Sequence, residues 1–252
     1  MFSLRATIFL TLGLFATQSG SAQIQADENN IDYVLSRYIE SMGGRASLQK
    51  IISVRLKGEL LLADGSKASL TVLRKKPNLV RVTTEWPNLR IVQGYDGTNA
   101  WVSRTQAGSF QIREMEGDQR NDFIVQAPLT SNLIRRNSVE GKLALGPELK
   151  VAMRPCYQVI STSPNGSKTI HYIDKESFYD LRILTYDPEG NLTSELVPSK
   201  FEIADGILFA MQIKQLVDGH ETSAVVFHSV ETNLGIINTA FSMQDAAEET
   251  NE

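Results

Sequence analysis

The sequence predicts a mainly β protein, in which a strongly curved antiparallel sheet (an incomplete β-barrel) is covered by an N-terminal helix and a central helical flap. Three observations lead to this fold class. Apolar and polar residues alternate through most of the chain, and short turns separate the alternating runs. An amphipathic helical pattern precedes them. One interior stretch, Met115–Asn137, follows a helical rhythm instead.

The first 22 residues predict a cleavable signal peptide. Arg5 supplies a positive charge, Ala6–Ala16 is an apolar run, and Gly20-Ser21-Ala22 offers small residues for cleavage before Gln23. The apolar run is too short to span a bilayer as a helix of the mature protein. A buried N-terminal helix is the alternative interpretation. The residue directly after the predicted cleavage site is Gln23 and not a cysteine, so we expect no lipid anchor.

Composition narrows the class of protein. The chain has 252 residues, is 42% hydrophobic and carries a net charge of −4, which fits one globular domain over residues 23–243. A sequence pI near 5.5 argues against a nucleic-acid partner. The single cysteine, Cys156, permits no intramolecular disulfide, and we expect it to be a small buried hydrophobe.

The first element after the leader is a helix over Asn30–Met42, ended by Gly43-Gly44, with a second short turn through Ala46–Ile51. Alternation then begins, since Val54, Leu56, Leu60 and Leu62 point to one side of a strand. Further strands are predicted at Leu70–Lys76, Val80–Trp86, Leu89–Tyr95, Ala100–Ser103, Phe110–Arg113, Val139–Leu145, Tyr157–Thr162, Lys168–Asp174, Leu181–Tyr186, Thr193–Ile203, Ile207–Val217 and Thr222–Glu231.

Turn signals join consecutive strands into a meander. They are Asp64-Gly65, Asp96-Gly97, Asn165-Gly166, Asp205-Gly206 and Asp218-Gly219. A meander this long must curl, and its apolar face needs a cover. The helix and the flap either fill the concavity or leave room for a guest, and the sequence leaves both open. Residues 244–252 are polar and acidic, which predicts a disordered tail.

The flap pattern has two short faces. Phe123, Ile124 and Ala127 form the first, Pro128 interrupts, and Leu129, Leu133 and Ile134 form the second. Arg135-Arg136 usually marks a solvated helix face, although it would also suit peripheral contact with an anionic membrane.

Catalytic patterns are missing from the sequence. It contains no HExxH, GxSxG, CxxC or phosphate-loop motif, and His171, His220 and His228 are not spaced as metal ligands. We therefore expect no enzyme, no metal and no cofactor. Several aromatic residues are either core residues, the more frequent role, or the lining of a pocket: Trp86, Trp101, Phe110, Phe123, Phe209 and Phe227.

The stretch Arg74–Trp101 resembles the LolA-like family of periplasmic carriers and sorting factors for outer-membrane lipoproteins. The similar features are Lys76-Pro77-Asn78-Leu79, the turn Trp86-Pro87, and Asp96-Gly97 leading to Trp101. Further likeness extends over most of the mature chain, at Met42-Gly43-Gly44, Ile52-Ser53-Val54, Cys156-Tyr157, Tyr172-Ile173-Asp174, Asp205-Gly206-Ile207 and the stretch from Asn233 to Phe241.

This resemblance implies a LolA/LolB-like half-barrel that shelters acyl chains of lipoproteins or other lipids in an apolar cavity. It implies a monomer in the periplasm that works with inner- and outer-membrane sorting components. An RseB-like binding and sensing module that acts through a protein partner is the alternative. The expected cavity and lid residues are Trp86, Ile91, Trp101, Phe110, Phe123, Ile124, Leu129, Leu133, Ile134, Phe209 and Met211.

Lys76 is the expected lid latch. LolA proper, within this family, has an arginine at this position, before the proline, that is implicated in lid closure and cargo release. Lysine offers a point charge where arginine offers a planar fork of donors, so the resemblance implies a weaker latch here.

Overall fold

Fourteen antiparallel strands form one curved, open sheet in the computed structural model, which describes residues 30–125, 127–131, 133–134 and 142–248. The strands are β1 (Ser53–Leu62), β2 (Lys67–Lys75), β3 (Leu79–Trp86), β4 (Leu89–Tyr95), β5 (Ala100–Gln106), β6 (Ser109–Glu114), β7 (Lys142–Leu145), β8 (Leu149–Val151), β9 (Arg154–Thr162), β10 (Lys168–Asp174), β11 (Asp180–Tyr186), β12 (Leu192–Ala204), β13 (Ile207–Val217) and β14 (His220–Thr232). The predicted curved antiparallel sheet is confirmed.

Strand order follows the chain in two meanders joined by one seam. The order is β6-β5-β4-β3-β2-β1-β14-β13-β12-β11-β10-β9-β7, and β8 pairs with β9. The seam is the β1–β14 pair, in which Val54 lies opposite Thr232. Its register shifts at Lys57/Gly58. A Cβ on Gly58 would lie 2.1 Å from the Val226 carbonyl oxygen, so only glycine fits there.

The helices are α1 (Ile31–Ser41), α2 (Gly44–Lys50), α3 (Gly117–Ile124) and α4 (Met243–Glu248), with a 3-10 turn at Asn238–Phe241. The predicted first helix is confirmed, and the Asn30 side chain caps it by accepting a hydrogen bond from the Asp32 amide at 2.8 Å. Gly43, at φ +113°, makes the elbow between α1 and α2. None of the helices within the described ranges has the length and apolar character needed to cross a membrane.

One face of the sheet, which we call the inner face, is covered by α1, α2 and α3. Its apolar residues form three clusters. The first packs α1 against β9 and β10 through Val34, Tyr38, Val159 and Ile173. The second packs α1 and α2 against β1, β2 and β13, and its members include Ile39, Leu48, Leu56, Val72 and Ile207. The third packs α3 against β3 and β5 through Phe123, Val80 and Ala100.

The flap segment, residues 127–134 where described, connects these three clusters. Ala127 belongs to the third cluster, Leu129 packs on the second, and Leu133 lies in the first. The predicted helical rhythm is correct for α3, but the described residues after Ala127 form bends and turns. Pro128 explains the difference, because it interrupts helical hydrogen bonding. Arg135-Arg136 and the first residues of the predicted strand at Val139–Leu145 lie outside the described residues.

The opposite, outer face carries the C-terminal segment, residues 234–248, across β2–β5. Trp101 is fully buried there, and its indole nitrogen donates to the Phe241 carbonyl at 2.9 Å. Arg81 donates to the Ala240 carbonyl at 3.0 Å. Gly94 leaves room for the indole, since a Cβ would lie 2.3 Å from it.

The prediction of a disordered tail from residue 244 is corrected, because residues 244–248 belong to a helix. Helix α4 continues to Glu248, and Ala246 is buried with Val92 and Trp101. An alanine in a polar stretch gave no sign of this contact in the sequence, because its burial depends on a partner far away in the chain. Residues 249–252 and the predicted leader, residues 1–22, lie outside the described part.

Candidate functional site: a cavity beneath the flap segment

A cavity of about 600 Å³ opens between α2, the β2–β3 turn and the flap segment. Its lining combines apolar side chains with two cations: Arg45, Leu48, Gln49, Lys76, Pro77, Pro128, Leu129, Thr130 and Ile134. The flap segment supplies one wall, while α2 supplies another. The cavity therefore lies where the cover meets the sheet.

Lys76 holds α2 at the mouth of this cavity. Its ammonium donates to the carbonyl oxygens of Leu48 and Gln49, both at 3.0 Å. These carbonyls lie in the last turn of α2, where backbone acceptors lack intrahelical partners and a cation is favourable. Partial burial lowers the pKa of Lys76 from its usual value. The contact is with α2, whereas a latch on the flap segment was the expectation.

We expect Lys76→Met to lower the free energy of unfolding by about 1–2 kcal/mol, because two charge-assisted hydrogen bonds are lost. Urea denaturation measures this change, and amide exchange at residues 48–51 should quicken. Lys67→Met, which removes the same charge from an exposed position on β2, is the matched control. Equal stability of the two variants would contradict the role of Lys76 in holding α2.

A buried polar network joins α1 to the sheet beside Ser131 of the flap segment. The Tyr38 hydroxyl donates to Asp180 Oδ2 at 2.8 Å. His171 Nδ1 lies 2.9 Å from the other Asp180 oxygen. Burial, reinforced by the Asp180 charge, raises the pKa of Tyr38 well above its usual value. Tyr38 therefore stays a neutral donor, and His171 is held by a carboxylate.

Within the described ranges, no group of three or more His, Cys, Asp or Glu side chains is placed to hold a metal ion. Cys156 is fully buried, and burial raises the pKa of its thiol. The expectation of a small buried hydrophobe at Cys156 is confirmed.

Of the twelve site residues predicted from the sequence, the cavity brings together Lys76, Leu129 and Ile134. A further group lies on the inner face outside the cavity lining: Phe123 and Ile124 on α3, Leu133 in the first cluster, Phe209 in the second, and Met211, Trp86 and Ile91 by strand register. All of these residues lie on the inner face of the sheet, which is also the face that carries the cavity.

The prediction that Trp101 and Phe110 line the cavity is corrected, because both residues lie on the outer face. Ala100 and Val102 face α3, so Trp101 between them points the other way. Phe110 shares its face with Ile112, which packs on Trp101. A strand's alternation defines two faces without saying which one is covered, and the C-terminal segment gives the outer face an apolar surface as well.

Sequence reasoning missed the contribution of α2. Arg45, Leu48 and Gln49 all line the cavity, and their i, i+3, i+4 spacing places them on one side of a helix. That spacing was present in the sequence. The helix is only seven residues long, and its sequence predicts no more than a short turn before the first strand.

An open antiparallel sheet with helices over one face and a cavity under the cover defines a half-barrel with a cavity on its inner face. No protein-family model matches the sequence, and no curated protein matches it. Solved structures do match. A DUF1329 family protein from Desulfovibrio piger has a TM-score of 0.61 and 14% identity, covering 85% of this chain and 98% of its own.

Two further solved structures are similar to the chain. A domain assigned to outer membrane lipoprotein sorting, from Vibrio parahaemolyticus, has a TM-score of 0.61 and 12% identity over 85% of this chain and 98% of its own. A LolA superfamily protein from Nitrosomonas europaea has a TM-score of 0.55 and 14% identity over 83% and 96%. The chain has a LolA-like fold.

Proposed function

We propose that this protein is a periplasmic carrier that shelters acyl chains, of lipoproteins or of another lipid, in the cavity beneath the flap segment. The cavity of about 600 Å³ is the observation that carries the proposal. Small-molecule sites commonly have volumes of about 300–1,000 Å³. Leu48, Leu129 and Ile134 give this one apolar walls suited to a hydrocarbon chain.

The energetics of such a guest favour binding and make release the difficult step. Burial contributes about 0.8 kcal/mol per methylene, so a sixteen-carbon chain contributes on the order of 10 kcal/mol before entropic costs. Release then requires a cover that opens easily. The described residues of the flap segment form bends and turns in place of a regular helix, which suits this step.

The predicted signal peptide supports export, and the LolA-like fold is consistent with sorting partners at the inner and outer membranes. The proposed carrier has no catalytic role, and we propose that it acts as a monomer. The RseB-like alternative remains a prediction: a sensing module would capture a membrane-anchored regulator in preference to lipid.

Native mass spectrometry of protein purified from the periplasm without detergent tests the proposal. We expect a co-purifying lipid or acylated peptide, and uptake of a fluorescent fatty-acid probe after delipidation. Leu129→Asp should weaken probe uptake at least about tenfold, because it places a charge in the apolar wall. Leu192→Asp, at an exposed leucine in β12, is the matched control and should bind normally.

A mass without any ligand, together with no probe uptake, would contradict the carrier proposal. The inner face would then be a filled core. Retention of a membrane-anchored protein in a pull-down under the same conditions would favour the sensing module.

A further inference from the structure

Arg74 is an arginine on the inner face of the sheet, among apolar neighbours. It lies opposite Val54 on one side and Val80 on the other, and both valines are buried members of inner-face clusters. Alternation along the strand places Val72 and Arg74 on this same face. Lys76 follows them and lines the cavity.

The half-buried Arg74 side chain has no acidic partner among the described residues. Its Nε is buried without a hydrogen-bond partner, and no described carboxylate forms an ion pair with it. By contrast, the structure pairs three other arginines with acids: Arg81 with Asp245, Arg154 with Asp174, and Arg182 with Glu195.

A buried cation without a counter-charge is unfavourable for folding. Burial lowers the pKa of Arg74, but the guanidinium of arginine remains protonated in proteins, so the charge cannot be removed by titration. Arg74 therefore needs a negatively charged partner, and the described part of the chain does not supply one.

The cavity that Lys76 lines, two residues further along the chain, is also positively charged. Arg45 and Lys76 line it, and its described lining contains no aspartate or glutamate. The whole chain carries a net charge of −4. The positively charged lining of the cavity therefore contrasts with the negative charge of the chain as a whole. Lys76 has three N–H donors and uses two on the α2 carbonyls.

We propose that the ligand of the inner face is an anionic amphiphile, whose carboxylate or phosphate group binds Arg74 and Lys76 while its acyl chain occupies the apolar cavity. This inference rests on the proposed carrier function and narrows its ligand class. A guanidinium matches an oxoanion with two parallel hydrogen bonds, and the low-polarity surroundings strengthen the contact. A neutral acyl ligand leaves the buried charge unpaired.

The test compares oleate with oleyl alcohol, which has the same chain without the anion, on delipidated wild-type protein and on Arg74→Met. We expect wild type to bind oleate at least about tenfold more tightly than the alcohol. Arg74→Met should lose this preference and bind oleyl alcohol as well as wild type does. Without ligand, the Arg74→Met protein should melt at a higher temperature, because an unpaired buried charge is gone.

Arg90→Met is the matched control, since Arg90 lies on the outer face of β4 and pairs with Glu85 at the surface. It should leave the preference for oleate unchanged. Equal binding of oleate and oleyl alcohol by wild type would overturn the anionic ligand and leave the carrier function standing. Failure of both to bind would contradict the carrier itself. Stabilisation by inorganic phosphate without oleate binding would assign Arg74 to a free oxoanion and overturn the amphiphile.

Discussion

Leu133→Asp is expected to lower the free energy of unfolding by about 3–5 kcal/mol and to abolish uptake of a fatty-acid probe. Leu133 is fully buried in the first cluster, where the flap segment meets α1, β9 and β10. A carboxylate there loses the apolar contact and must leave the interior to be solvated. Urea denaturation and probe titration measure the two effects.

Leu133→Ala separates the loss of the cover from general unfolding. It should cost about 2–4 kcal/mol, retain the circular dichroism of the sheet, and weaken probe binding less than the aspartate does. Leu192→Asp is again the control, with an expected change within about 0.5 kcal/mol. Normal probe affinity in a folded Leu133→Asp protein would show that the flap segment does not cover the ligand.

Trp101→Ala is expected to cost about 3–5 kcal/mol in the free energy of unfolding and to leave fatty-acid affinity unchanged in the folded protein. The indole is fully buried, fills the space above Gly94 and donates to the Phe241 carbonyl. Its removal should expose the C-terminal segment to amide exchange at residues 240–248. The ligand site is unaffected because Trp101 is on the other face.

Trp101→Phe tests the hydrogen bond apart from the packing. It keeps most of the ring and leaves the Phe241 carbonyl unpaired, which should cost about 1–2 kcal/mol. Weakened fatty-acid binding in folded Trp101→Ala protein would contradict the assignment of Trp101 to the outer face.

The sequence predicted most of the sheet because its signals are local. Alternation fixes a strand, and Asp-Gly or Asn-Gly pairs fix the turns, so neighbouring strands follow from the chain itself. The seam between β1 and β14 has no such signal, because it joins opposite ends of the chain. The same limit hid the C-terminal segment, whose one buried alanine has meaning only beside Trp101.

The site was predicted less well, and for a related reason. The helical rhythm predicts the segment that covers the cavity, and three of the residues named from the sequence, Lys76, Leu129 and Ile134, line that cavity. Trp101 and Phe110 were assigned to the wrong face because both faces of β5 and β6 meet apolar partners. Arg74 was not singled out, since a basic residue in a strand ordinarily points to water.

The β1–β14 seam also sets the order in which the protein can assemble. Each meander is built from contacts between neighbours in the sequence, which form early, whereas the seam requires closure of nearly the whole chain. Val225, Phe227 and Val230 of β14 pack on the second cluster. A nascent chain without its last strand would have two separate half-sheets with exposed edges. Its inner face would be incomplete. The ligand cavity should therefore mature only after synthesis is complete.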